Sequence, residues 1–92
     1  MLYIKSLEID DNILEKIEKK HNVTFEEAEE ICCSETHHVR KGKSGLYKVF
    51  GKTSNGRYLL VVLVYKGNGD CKIASARSMT TNETHLYGQV TK

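Results

Sequence analysis

The chain has 92 residues, 39% of them hydrophobic and 28% charged, which suits one modest core and argues against disorder. No apolar run approaches the ~20 residues that cross a bilayer, and the opening MLYIKSLEIDD lacks the basic-then-apolar layout of a secretion signal. A single cytoplasmic domain over residues 1–92, away from membranes, is therefore expected.

In chain order, YIKSLEI alternates partially and predicts a short strand. Asp10 or Asp11 can then cap a helix whose inward residues are Ile13, Leu14 and Ile17, ending near His21 and Asn22. A second helix follows: Thr24 and Glu27 form a capping box, and Phe25, Ala28, Ile31 and Cys32 make one apolar stripe. Residues 34–45, SETHHVRKGKSG, are polar and read as a connector. Three strand-like stretches come next, LYKVFGK, RYLLVVLVYK and CKIASARS, separated by Asn55-Gly56 and by Gly67-Asn68-Gly69-Asp70. An Asn-Gly pair between β-rich runs signals a hairpin in which both turn residues take positive φ. Residues 59–64 are apolar on both alternating faces, so their strand is central, with helices on at least one side. A second capping box, Thr80 and Glu83, opens a last helix carrying Leu86 and Tyr87. The expected fold is α+β, in the order β-α-α-β-β-β-α, with the three helices packed on an antiparallel sheet.

Several chemistries are disfavoured. GKS at 42–44 is no phosphate loop, because His37 stands where that motif requires glycine and the segment leads into a strand. Cys32, Cys33, His37 and His38 lack a second ligand pair at a telling spacing, so neither a metal nor a cofactor is expected. Three cysteines, two of them adjacent, suggest reduced thiols rather than disulfides.

What stands out is charge. Residues 1–35 carry ten acids and four bases, whereas residues 36–92 carry two acids and ten bases. Lys48, Lys52, Arg57 and Arg77 fall on or beside predicted strands, and Arg40, Lys41 and Lys43 extend the same charge through the connector. Such a surface can bind RNA phosphates and stabilise a pentacoordinate phosphorus without a metal. Register decides whether the two strand arginines cooperate. A two-residue Asn68-Gly69 loop pairs residue 77 with residue 60 and turns Arg77 away from Arg57, whereas a three-residue loop brings both to one face.

Three blocks, KKHNVTFEEAEEI (19–31), GKTSNGRYLLVVLVY (51–65) and ASARSMTTNETHLY (74–87), resemble the BrnT-type toxins of bacterial type II toxin-antitoxin systems, in the RelE/ParE superfamily. The resemblance implies a RelE/ParE-like fold and metal-independent RNA cleavage. It also implies a cognate antitoxin that masks the toxin, an RNA substrate met free or on the ribosome, and DNA contact only through the antitoxin. By motif it places Arg57 and Arg77 on the scissile phosphate, with Lys48, Lys52, Glu83 and Tyr87 orienting RNA or moving protons. Two rival readings share the fold: a non-catalytic or decayed protein-binding module, and a topoisomerase-inhibiting toxin.

Overall fold

The computed structural model describes residues 4–34, 37–43 and 45–90. Tyr3 of the expected first strand, and Glu35, Thr36 and Ser44 of the expected connector, lie outside them. The elements are β1 (Ser6–Glu8), α1 (Asp11–His21), α2 (Phe25–Cys33), β2 (His38–Lys41), β3 (Leu46–Lys52), β4 (Tyr58–Gly67), β5 (Asp70–Ser78) and α3 (Thr81–Val90). The strands form one sheet in the order β1-β5-β4-β3-β2.

Two expectations are corrected. The polar stretch read as a connector contains β2, which pairs antiparallel with β3 at the sheet edge. An edge strand tolerates charges that a central one does not, so HVRK carries no apolar alternation. The sheet is also mixed rather than antiparallel, because β1 runs parallel to β5, with Ser6 opposite Asp70. The Ser6 hydroxyl donates to Asp70 Oδ1 at 2.7 Å across this pair.

The helices form where the apolar spacing predicts them. In α1, Ile17 is buried and Ile13 and Leu14 pack against the core. Asp10 occupies the N-cap without accepting a capping hydrogen bond; its carboxylate instead meets Lys72 Nζ at 2.8 Å. Asn22 ends α1 at φ 53°, a left-handed value that asparagine tolerates, and the Val23 amide donates back to the Ile17 carbonyl at 3.0 Å. The Thr24–Glu27 capping box of α2 is complete. Ala28, Ile31 and Cys32 then face β3 and β4, and Val49 of β3, Leu59, Val61 and Leu63 of β4, and Ile73 and Ala76 of β5 complete the main core.

The opposite sheet face carries a smaller apolar cluster of Phe50, Leu60 and Tyr87, joined by Val62 and Met79. The alternation of β4 thus feeds two cores, with α1 and α2 on one face and α3 on the other.

The hairpins differ in kind. Between β3 and β4 only Gly56 takes positive φ, at 87°, and Asn55 does not, so the expected two-residue turn is replaced by a longer loop. The Thr53 amide donates to the Arg57 carbonyl at 2.8 Å and closes it. Between β4 and β5, Asn68 and Gly69 take φ of 55° and 83°, the pattern of a two-residue turn with both residues left-handed. Gly67 pairs with Asp70 across it. One bulge at Lys66 in β4 and a second at Ala74 in β5 shift the register and shift it back, leaving Leu60 opposite Arg77.

Candidate RNA-binding site

The Leu60–Arg77 pairing sorts the basic residues by face. Directly opposed residues share a face, so Arg77 lies on the side of Leu60 and Phe50, beneath α3. Arg57 precedes Tyr58 by one residue and turns toward α2, where its Nη1 donates to Glu27 Oε1 and Oε2 at 2.8 and 2.7 Å and to the Asn22 carbonyl at 2.8 Å. Burial by itself would raise the Glu27 carboxyl, but the Thr24 amide and the Arg57 guanidinium outweigh it and hold the group below its ordinary range. Arg57 therefore ties the start of β4 to the α1–α2 junction. One shared phosphate site for Arg57 and Arg77 is not the arrangement this register builds.

Arg77 is engaged as well. Its Nη1 and Nη2 donate to the two Glu83 carboxylate oxygens at 2.8 and 3.0 Å, and Nη1 also reaches the Ser78 carbonyl at 3.0 Å. The same glutamate accepts from the Thr80 amide at 2.9 Å, while its own amide donates to Thr80 Oγ1 at 3.1 Å. The hydrogen bonds from Arg77 lead in holding the Glu83 carboxyl at about 2, and Glu83 in turn raises Arg77. A carboxylate this stabilised is a poor proton acceptor near neutral pH.

Between α3 and the β2–β3 edge lies a cleft of about 530 Å³, lined by His38, Arg40, Lys41, Gly42, Lys48, Phe50, Glu83, Leu86, Tyr87 and Val90. Register explains its chemistry. His38 stands opposite Phe50 and Arg40 opposite Lys48, so all four share the α3 face. Phe50 forms part of the apolar floor and Arg40 and Lys48 are exposed. On the facing wall Tyr87 is buried and stacks edge-on against Tyr58, with ring centroids 6.0 Å apart. Leu86 and Val90 stay exposed at the mouth.

Of the residues expected from sequence, the fold gathers Arg40, Lys41, Lys48, Glu83 and Tyr87 around this cleft, and Arg77 adjoins it through Glu83. Lys52 lies over the Tyr58 ring, with Nζ 5.4 Å from the centroid, and Lys43 is exposed beyond the end of β2. His38 and Phe50 were missed. Phe50 reads as core in any strand pattern. His38 could have been found only by recognising HVRK as an edge strand, which would have aligned it with Arg40 on one face.

Residues 10–83 match the family described as the ribonuclease toxin BrnT of type II toxin-antitoxin systems. The chain belongs to the BrnT family. The matched stretch contains β2 to β5 and ends at Glu83, so the cationic wall of the cleft lies inside it, while Leu86, Tyr87 and Val90 lie beyond. Among solved structures, the crystal structure of the Brucella abortus ribonuclease toxin BrnT is similar, with a TM-score of 0.67 at 17% sequence identity, over 88% of this chain and 100% of that chain. At that identity the likeness concerns the fold. No curated protein matches the sequence. Among the described residues, no helix is long and apolar enough to cross a membrane, and no three His, Cys, Asp or Glu side chains are grouped to hold a metal ion.

Proposed function

We propose that this BrnT-family chain is a toxin that cleaves RNA without a metal ion, and that the cleft between α3 and the β2–β3 edge holds the scissile phosphate. The observation that carries this reading is the convergence of Arg40, Lys41 and Lys48 on one concave, partly apolar surface. Arginine and lysine held there neutralise phosphate oxygens in the ground state and gain strength as charge builds on a pentacoordinate phosphorus. Phe50, Leu86 and Val90 supply apolar surface for a base or ribose, which a single strand can present unstacked. Arg77, Glu83 and Tyr87 fix α3 over the sheet and so set the width of the cleft. Lys52 and Lys43 extend the charge along the path of the strand, while Arg57 serves the fold from the other face.

The same family reading supplies a cognate antitoxin that covers the toxin. The finer expectations, membership of the RelE/ParE superfamily, action on ribosome-bound RNA and DNA contact through the antitoxin alone, accompany the proposal. The test is to incubate purified, partner-free protein with total RNA, with and without a chelator and with ribosomes in a parallel reaction. Chelator-resistant cleavage leaving 2′,3′-cyclic phosphate ends is expected. A folded protein that cleaves no RNA in any of these reactions, or that cleaves only with added metal, would overturn the reading.

A further inference from the structure

Cleavage of RNA through its own 2′-hydroxyl needs a group that removes the hydroxyl proton, and most side chains around the cleft are unsuited to that task. Glu83 is held ionised by a two-pronged contact with Arg77 and by the Thr80 amide. Arg40, Lys41 and Lys48 are cations, which suit phosphate oxygens rather than proton removal. Tyr87 is 6% exposed, with its ring in the apolar cluster on the sheet.

His38 differs from all of these. It is half-buried on β2, lines the cleft, and stands two residues from Arg40 on the same strand face. Its ring lies 6.4 Å from the Phe50 ring, centroid to centroid, at an interplanar angle of 37°, which sets the imidazole beside the apolar floor of the cleft. Among the described residues, no hydrogen bond occupies either ring nitrogen, so the imidazole is not committed to holding the fold together. Histidine is also the side chain best suited to proton transfer near neutral pH.

We infer that His38 is the catalytic base of the cleft, an assignment that rests on the cleft being the site of RNA cleavage. A neutral imidazole nitrogen takes the proton of the 2′-hydroxyl as the 2′-oxygen forms its bond to phosphorus. The bond from phosphorus to the 5′-oxygen breaks, the 5′-oxygen takes a proton from water, and the imidazolium later returns its proton to solvent. Arg40 and Lys48 hold the phosphate oxygens while charge accumulates on them. The Arg77–Glu83 pair positions the opposing wall.

The test compares wild type, His38→Gln and His38→Ala under single-turnover conditions with a short single-stranded RNA, across a pH series. Each variant's urea midpoint is measured alongside, as is its affinity for the same strand made uncleavable by 2′-deoxy substitution. Replacement of a general base is expected to slow cleavage about 10²–10⁴-fold. Affinity for the 2′-deoxy strand should stay within about two-fold, since the imidazole is assigned to the proton and not to the phosphate. The wild-type rate should rise with pH along a limb that both variants lose, and added imidazole should restore part of the His38→Ala rate. Arg40, Lys41, Lys48, Glu83 and Tyr87 also face the cleft and remain unchanged in both variants, so a limb that vanishes belongs to His38. Variants that fold and cleave at the wild-type rate with the same profile would overturn the assignment while leaving the nuclease reading intact. A folded wild type that cleaves nothing would overturn both.

Discussion

Arg77 grips Glu83 with both terminal nitrogens, at 2.8 and 3.0 Å, and thereby fastens the first turn of α3 to the end of β5. The carboxyl is depressed to about 2 from an ordinary value of 4.5. A depressed carboxyl contributes stability that is fully present above the unfolded-state value and is lost as pH falls through the folded one. Acid titration of the folded protein should therefore show stability falling between about pH 4.5 and pH 2. Glu83→Gln should be less stable at neutral pH and should show a flatter decline through that window, with urea midpoints at several pH values as the measurement. An unchanged slope in the variant would remove Glu83 as the source.

Arg57 contacts Glu27 and the Asn22 carbonyl from the opposite face, with side-chain exposures of 31% for Arg57 and 17% for Glu27. This partly shielded pair exceeds a typical surface ion pair in value. Arg57→Ala is expected to lower stability by about 1–2 kcal/mol while changing RNA affinity less than about two-fold. Chemical denaturation and a binding titration check the two halves of this prediction separately.

Gly51 lies where β3 passes under α2. A Cβ built there would stand 3.0 Å from Ile31 Cγ2 and 3.1 Å from Ile31 Cδ1, and Ile31 is fully buried in the main core. Gly51→Ala should cost about 1–3 kcal/mol through overpacking, despite alanine being the better strand former. Combining it with Ile31→Val, which removes one methyl group, should recover part of that loss.

The thiols separate by burial. Cys32 is pushed up to about 12, chiefly by its burial, and burial raises Cys71 as well, whereas Cys33 is exposed. A thiol reagent should label Cys33 rapidly in the folded protein and reach Cys32 and Cys71 only on unfolding. Rapid labelling of all three without denaturant would contradict the packing of α2 on the sheet.

Local chemistry made much of this fold legible. Both capping boxes, the apolar stripes of α1 and α2, and the central position of β4 follow from side-chain spacing within a dozen residues. Long-range relations did not. The parallel pairing of Ser6 with Asp70 leaves no mark in either segment, and β2 escapes a pattern search because an edge strand on a basic surface needs only Val39 turned inward. Arg40 and Lys48 could be named as basic residues, but their shared face depends on that unseen strand. The two arginines show the same limit: Asn68-Gly69 suggested the turn, yet which face Arg77 occupies depends on bulges at Lys66 and Ala74 that cancel each other.

Binding and cleavage of RNA on the α3 face of the sheet is tested most directly by the single-turnover cleavage rate of three partner-free proteins: wild type, Arg40→Ala/Lys48→Ala, and Arg57→Ala. The double variant should lose at least about 10²-fold, with a weaker dependence of RNA affinity on salt because fewer phosphates are contacted. Folded Arg57→Ala should cleave at close to the wild-type rate. The reverse pattern, with cleavage surviving in Arg40→Ala/Lys48→Ala and lost in Arg57→Ala, would place the chemistry on the α2 face instead.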